Sequence, residues 1–240
     1  MIDCIIPVRD KDNIVIRNCV DALDSEITGK ITIIDYGSEI PVYIYNREVI
    51  RISREKFPIW NKSHALNIGI RKSESEYVGI VDCDTIVSPN FFDKVKEVIN
   101  PNVFIISTKI RRIVNFTNFK NAIGISTEWA PGKPNYKGAI GGIQIFPREW
   151  AVKYKGYDES LIYWGGPDTY VLELAKITGL IIVDLDETIM HQEHEKKKEE
   201  QLKDETERII AKKVRIGRLA EIKRKITKLE ITNNEDWGKK

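Results

Sequence analysis

Apolar runs of strand length alternate with segments of helical period through the first part of the chain. Ile2–Val8 is a compact apolar run ending in Pro7-Val8-Arg9-Asp10, and Ile14, Val15, Cys19, Val20 and Leu23 then recur at helical spacing within Asp12–Leu23. Ile31–Ile34 predicts a second strand, stopped by Asp35-Tyr36-Gly37-Ser38, and Val42–Tyr45 and Val49–Ile52 predict two more. Asn61–Lys72 reads as a helix carrying Leu66, Ile68 and Ile70, and Tyr77–Val81 is a strand running into Asp82-Cys83-Asp84. Ser88-Pro89 has the character of an N-cap and first-turn pair for a helix through Val98, and Val103–Ser107 follows as a strand. Strands alternating with helices predict an α/β sheet with helices on both faces. Such sheets bind ligands beyond the carboxyl ends of their strands, where Arg9, Asp35 and Asp82–Asp84 all fall.

The middle of the chain is less regular. Arg111–Lys137 mixes Asn, Thr, Gly and Pro with Trp129 and Tyr136 and reads as a long connection, a class of segment that often serves as a lid or binding loop. Strand character resumes over Ala139–Phe146 around Gly141-Gly142, Pro147–Lys155 is a short helix, and Gly156-Tyr157-Asp158-Glu159 turns. Trp164-Gly165-Gly166-Pro167-Asp168 opens a helix through Ile177, and Leu180–Leu185 is a strand followed by His191-Gln192-Glu193-His194-Glu195. Beyond Glu195 charges dominate, so residues 1–195 are expected to form the main domain and 196–240 a charged helical extension. Ile216, Leu219, Ile222, Ile226 and Leu229 mark one face of that extension, among many lysines and arginines. One reading is a stripe packed on the body or on another subunit; the sharper one is a basic helix in peripheral contact with an anionic membrane.

Charge and composition narrow the partners. Lys and Arg number 38 against 36 Asp and Glu, so no global basic field marks a nucleic-acid binder. No apolar run approaches the roughly 20 residues that cross a bilayer, and Met1-Ile2-Asp3-Cys4 does not open a signal-peptide pattern; a cytoplasmic location is expected. Three scattered cysteines, Cys4, Cys19 and Cys83, make neither a disulfide framework nor a zinc site.

Asp82 and Asp84 lie two apart after a strand and so point the same way in an extended chain. Paired carboxylates repel unless a proton or cation lies between them, and a hard divalent ion such as Mn2+ or Mg2+ suits oxygen ligands. A surface turn is the plainer reading of such a pair.

The surroundings add to it. Trp60-Asn61-Lys62-Ser63-His64-Ala65-Leu66-Asn67-Ile68-Gly69-Ile70 precedes that strand, and with Asp82-Cys83-Asp84 it resembles the nucleotide-sugar-dependent glycosyltransferases of the GT-A fold, especially the second and seventh families. Ile5–Lys11 is similar to their first strand and nucleotide-binding turn, and Ile33–Ser38 to the second-strand Asp-Asp-Gly-Ser of the second family. Gly141-Gly142 with Phe146, Arg148 and Glu149 resembles the strand bordering the acceptor site. Gly156–Glu159 with Trp164–Asp168 resembles the Gly-Phe-Asp-Glu and Trp-Gly-Gly-Glu-Asp pair of galactosyltransferase-like members.

The resemblance implies a Rossmann-like GT-A domain with a mixed central sheet, flanking helices and a basic helical tail. It implies metal-dependent, inverting transfer of a sugar, with UDP-sugar the expected donor, to a hydroxyl of a glycan, lipid-linked or protein acceptor. Pro7, Val8, Arg9, Asp35, Lys62, Asp82 and Asp84 are implied to bind the nucleotide-sugar. Asp84 and Asp82 with His191, or its rival His194, are implied to hold Mn2+ or Mg2+. Asp168 matches the catalytic base, and Trp164, Gly165 and Gly166 the acceptor pocket. Tyr36 replaces an acid of the second-strand motif and Pro167 the acid before Asp168, so base recognition and acceptor do not transfer. Three alternatives stand beside this reading. One is a haloacid-dehalogenase-type phosphatase using Asp184 and Asp186 of Ile181–Ile189. Another is a nucleotidyltransferase, disfavoured because Pro7–Lys11 has no glycine. The third is a non-catalytic nucleotide-sugar-binding module. Assembly into an oligomer is compatible with all of them.

Overall fold

The computed structural model describes residues 1–24, 29–113, 140–163, 166–192, 209, 218, 220–229, 231 and 233–239, with the backbone alone for 111–113. In chain order the elements are β1 (Ile2–Val8), α1 (Asn13–Asp24), β2 (Ile31–Asp35), β3 (Glu48–Arg51), α2 (Lys62–Lys72), β4 (Tyr77–Val81), β5 (Thr85–Ile86) and α3 (Phe91–Val98). After them come β6 (Val103–Ile106), β7 (Lys109–Ile113), β8 (Ile143–Pro147), α4 (Arg148–Lys153), α5 (Pro167–Ile177), β9 (Ile181–Asp184) and β10 (Thr188–Gln192).

A seven-stranded sheet has the order β3-β2-β1-β4-β8-β6-β9. Its strands run parallel except β8, which is antiparallel to both β4 and β6. Strand composition follows position: β1, β2, β4, β6 and β8 are buried at every residue, as strands covered on both faces must be. The edge strands β3 and β9 expose part of theirs. One apolar layer, from α1 and α3, packs on one face of the sheet, and a second, from α2, α4 and α5, packs on the other. Gly69 lets α2 lie close on β1, since a Cβ there would come within 2.4 Å of Ile5 Cγ2.

Two expectations need correction. Val42–Tyr45 is not a strand: Val42 and Ile44 are buried while Tyr43 and Tyr45 are exposed, and the Val42 N–H donates to the Asp35 carboxylate instead of a neighbouring strand. Ser88-Pro89 does not cap α3, which starts behind Asn90 in the left-handed region, while the Ser88 hydroxyl donates to Glu187. A second sheet of order β5-β10-β7 stands beside the first. β5 has only two residues, and Lys109–Ile113 and Thr188–Gln192 mix polar with apolar side chains, so no dense apolar run marks them.

Helical residues 220–227 bury Ile222, Lys225 and Ile226, Arg218 just before them is buried too, and Trp237 joins the layer over α2. Ile222 and Ile226 of the apolar stripe therefore pack on the body, while Leu229 is exposed. Ile216 and Leu219, and most of the 111–137 connection, lie outside the described residues. Among the described residues no helix is long and apolar enough to cross a membrane.

Candidate active site

The parallel register places Val8, Asp35 and Arg51 side by side at one edge of the sheet. β4 ends at the same edge and delivers Asp82, whose N–H donates to Gly142 O (3.1 Å) and whose carbonyl accepts from Thr85 N–H (2.9 Å). That turn starts β5, and β5 pairs antiparallel with β10 so that Thr85 stands opposite His191. Gln192 N–H donates to Asp84 O (2.8 Å), which brings His191 Nε2 to 3.6 Å from Asp84 Oδ2. Gln192 secures this strand from behind: its side chain accepts from Asn18 and donates to Val15 O, both at 3.0 Å.

Lys62, at the first position of α2, links two acids. Asn61 caps the helix, accepting from His64 N–H at 3.0 Å. The Lys62 ammonium then lies 2.7 Å from Asp82 Oδ1 and 3.1 Å from Asp168 Oδ1. One cation thus spans the acid expected on the donor side and the acid expected on the acceptor side. Burial raises the Asp82 carboxyl; Lys62 opposes this and the charges of Asp168 and Asp84 add to it, leaving it pushed up to about 7. Burial alone would lower Lys62, but Asp168 and Asp82 outweigh it and hold its ammonium above the ordinary value.

Asp168 sits in the first turn of α5 behind Gly166 and Pro167. Its carbonyl accepts from Gln144 Nε2 (3.2 Å), and Gln144 accepts from the Tyr157 hydroxyl (2.6 Å), so β8 braces the helix start. Gly141 lies against it: a Cβ there would come within 2.7 Å of Asp168 Oδ2.

Other expected residues are placed differently. Asp35 is fully buried, and its carboxylate accepts from Ser38 N–H (2.9 Å), Val42 N–H (3.2 Å) and Arg51. It orders the turn after β2 and presents no exposed face to a base. Pro7 and Val8 are buried, Val8 in the core under α1, so Arg9 is the first side chain of that turn to reach the edge, donating to Pro58 O at 2.6 Å. Gly166 turns the face a side chain would occupy toward Arg218 and Ile222 rather than toward open space. Trp164, Gly165 and His194 lie outside the described residues. Cys4, Cys19 and Cys83 are buried free thiols, and burial raises all three.

Asp84, in the turn before β5, and His191, on β10, offer a carboxylate oxygen and an imidazole nitrogen, a donor set suited to a divalent cation such as Mn2+. Asp82 is turned to Lys62. Among the described residues no group of three His, Cys, Asp or Glu side chains is gathered closely enough to hold a metal.

The phosphatase alternative fails on position. Asp184 lies at the end of edge strand β9 and accepts from Thr108 N–H (3.0 Å) and Oγ1 (2.6 Å), while Asp186 is exposed and paired with Lys109.

Asn67 was quoted only as part of a motif, yet it bonds three ways to the turn before α5. It donates to Tyr157 O and Glu159 Oε1 and accepts from Tyr157 N–H, all at 2.8 Å. His64 is a link as well. Its Nε2 faces the carbonyl of Lys239 and must donate, so a neutral ring accepts the Tyr36 hydroxyl at Nδ1, each contact at 2.8 Å.

Comparison with known proteins agrees with this architecture. The catalytic domain of Drosophila β1,4-galactosyltransferase 7, solved with xylobiose, superposes with a TM-score of 0.52 at 13% identity, over 77% of this chain and 64% of that one. GalNAc-T7, solved with UDP, GalNAc and Mn2+, gives 0.62 at 14% identity, over 81% of this chain and 44% of that one. S. aureus TarS 1-349, solved with UDP-GlcNAc, gives 0.57 at 12% identity, over 82% and 60%. This chain therefore spans less than two thirds of the length of each of the three. At such identities the likeness shows the fold, which is GT-A. No curated protein matches the sequence. The glycosyl transferase family 2 model, however, matches residues 4–154, from β1 to the end of α4. The chain belongs to glycosyl transferase family 2.

Proposed function

We propose that this chain transfers a sugar from a nucleotide-sugar, UDP-linked in the first instance, to a hydroxyl acceptor, with inversion at the anomeric carbon. The observation that carries the reading is the convergence of Asp84 with His191, and of Lys62 with Asp82 and Asp168, at one sheet edge. Family membership, and the UDP and UDP-GlcNAc with which two fold relatives were solved, support it.

In this reading the acceptor oxygen bonds to the anomeric carbon as the bond from that carbon to the diphosphate breaks, and the diphosphate leaves with the electron pair. Asp168 takes the acceptor hydroxyl proton, a contribution of about 10²–10⁴-fold. Lys62 stands beside Asp168 and offsets charge developing on the diphosphate, an effect worth roughly 3–4 kcal/mol for a well-placed group. Asp84 and His191 would hold a divalent cation. When bound, such an ion supplies further positive charge to the leaving group. Arg9 faces the nucleotide from the end of β1.

The test is UDP release from a panel of UDP-sugars with Mn2+ or Mg2+, followed by anomeric-proton NMR of the product. Turnover dependent on Asp168 with inverted configuration supports the reading. Retained configuration refutes the mechanism, and UDP binding without turnover under any condition leaves only the binding-module alternative.

A further inference from the structure

Residues 156–163, together with Gly166, are held by residues 218–238 at successive points. Lys225, buried, donates to Asp158 Oδ2 and Ser160 Oγ, both at 2.5 Å. Asn233 accepts from Glu159 N–H (3.0 Å) and donates to Tyr157 O (2.6 Å), and Gly238 N–H donates to Glu159 Oε1 (2.7 Å). Arg218, also buried, donates to Ile162 O at 2.8 Å. The aliphatic stem of Arg218 fills the space beside Gly166, where a Cβ would be 2.8 Å from Arg218 Cγ. With φ at 109°, Gly166 is held in a conformation side chains avoid, directly before Pro167 and Asp168.

The same segment reaches the cation. Glu159 O accepts from Asn61 Nδ2 at 2.8 Å, and Tyr163 N–H donates to Trp60 O at 3.0 Å, both immediately before Lys62. Residues 156–163 thus touch the start of α2, which carries Lys62, and Arg218 touches both Ile162 and Gly166, the residue before Pro167 and Asp168. None of these contacts involves Arg9, Asp82, Asp84 or His191.

We propose that Arg218 and Lys225 are positioning residues for the reaction, fixing residues 156–163 and Gly166 so that Asp168 and Lys62 stand in register with the donor edge. The charged C-terminal segment is then a working part of the transferase, acting on turnover and not on donor binding. This inference rests on the transfer reading above.

The test compares the wild-type chain with Arg218→Met and Lys225→Met, each assayed well below its melting temperature. Hydrogen exchange is followed by mass spectrometry, UDP affinity with Mn2+ by calorimetry, and UDP release with the best substrate among UDP-glucose, UDP-galactose, UDP-GlcNAc and UDP-GalNAc. The expected result is faster exchange confined to residues 156–168, a UDP Kd within twofold of wild type, and kcat lowered at least tenfold at nearly unchanged donor KM. Arg218→Lys, which can still reach the Ile162 carbonyl, should recover most of the loss. If Lys225→Met does not fold, Arg218→Met carries the test. A loosened loop with kcat within twofold of wild type overturns the proposal, as does a loss of protection and of UDP binding across the whole chain. A wild-type chain that neither binds UDP nor turns over removes the transfer reading itself, and this one with it; variants that match an active wild type refute this one alone.

Discussion

Asp3 offers the sharpest quantitative test of the fold. It is buried at the start of β1, and its two oxygens accept from Lys30 N–H (2.9 Å), Ser75 Oγ (2.8 Å), Ser73 Oγ (2.8 Å), Glu74 N–H (3.2 Å) and Ser75 N–H (3.3 Å). These bonds join β1 to the start of β2 and to the turn between α2 and β4. In Asp3→Asn one oxygen becomes a donor. The less costly orientation puts the amide nitrogen toward Lys30 and Ser75 Oγ, because a hydroxyl can turn to accept and an N–H cannot. One backbone donor is then left unpaired, at about 1–3 kcal/mol, and the remaining bonds lose their ionic character. Release of the buried charge offsets part of this, so the expected loss is about 3 kcal/mol, or a melting point lower by about 6–12 °C for a chain of this size. Burial opposes ionisation of Asp3, but the Lys30, Ser75, Ser73 and Glu74 hydrogen bonds outweigh it and hold the carboxyl below 3.8. A depressed carboxyl stabilises the fold above its unfolded value and loses that contribution as pH falls through its folded value. The gap between wild type and variant, measured by urea unfolding, should therefore be constant from about pH 5 to 8 and shrink below about pH 4, with UDP affinity unchanged at neutral pH. A variant as stable as wild type at pH 7, or a gap that does not narrow in acid, would show that this network does not carry the energy assigned to it.

Further outcomes concern the site. Lys62→Met should lower UDP release about 10²-fold; turnover within twofold of wild type would detach Lys62 from the chemistry. UDP with Mn2+ at 100 times its Kd should stabilise wild type by about 2.7 kcal/mol in all, and Asp84→Asn and His191→Ala should each abolish the part of that which depends on Mn2+; an undiminished thermal shift in both would move the cation elsewhere. Gly141→Ala should press on Asp168, given the 2.7 Å approach of a Cβ to Oδ2, and cut kcat with little change in melting temperature; unchanged kcat would mean the carboxylate yields freely. Asp184→Asn should leave UDP release intact, because its partner is Thr108 at the sheet edge; a loss of turnover would reopen the phosphatase alternative.

The strands of the main sheet were legible because β1, β2, β4, β6 and β8 are covered on both faces and so carry dense apolar runs. Asp82, Asp84 and Arg9 were legible as edge residues because each follows such a run. The partnership of His191 with Asp84 was legible only through resemblance, since it depends on the pairing of β5 with β10, which is long-range and only two residues deep on one side. Asp35 misled because its position in a motif does not tell whether the carboxylate points outward or, as here, into its own turn. The bare face of Gly166 belongs to Arg218, a neighbour too far along the chain for the motif to reveal. In the basic C-terminal helix the apolar stripe was legible but the buried charges were not, because Lys225 and Arg218 are buried against Asp158, Glu221 and the Ile162 carbonyl, partners that pattern along the helix cannot announce.

α2 is made long before Ile222, Ile226 and Trp237, the residues that complete its apolar layer. Trp237 stacks against Arg71, whose guanidinium also donates to Trp237 O at 3.0 Å, and Ile222 and Ile226 complete the same layer. During synthesis on a ribosome the helix must therefore wait, half clothed, until Trp237 has emerged. The interval before that closure is when a chaperone has apolar surface to hold.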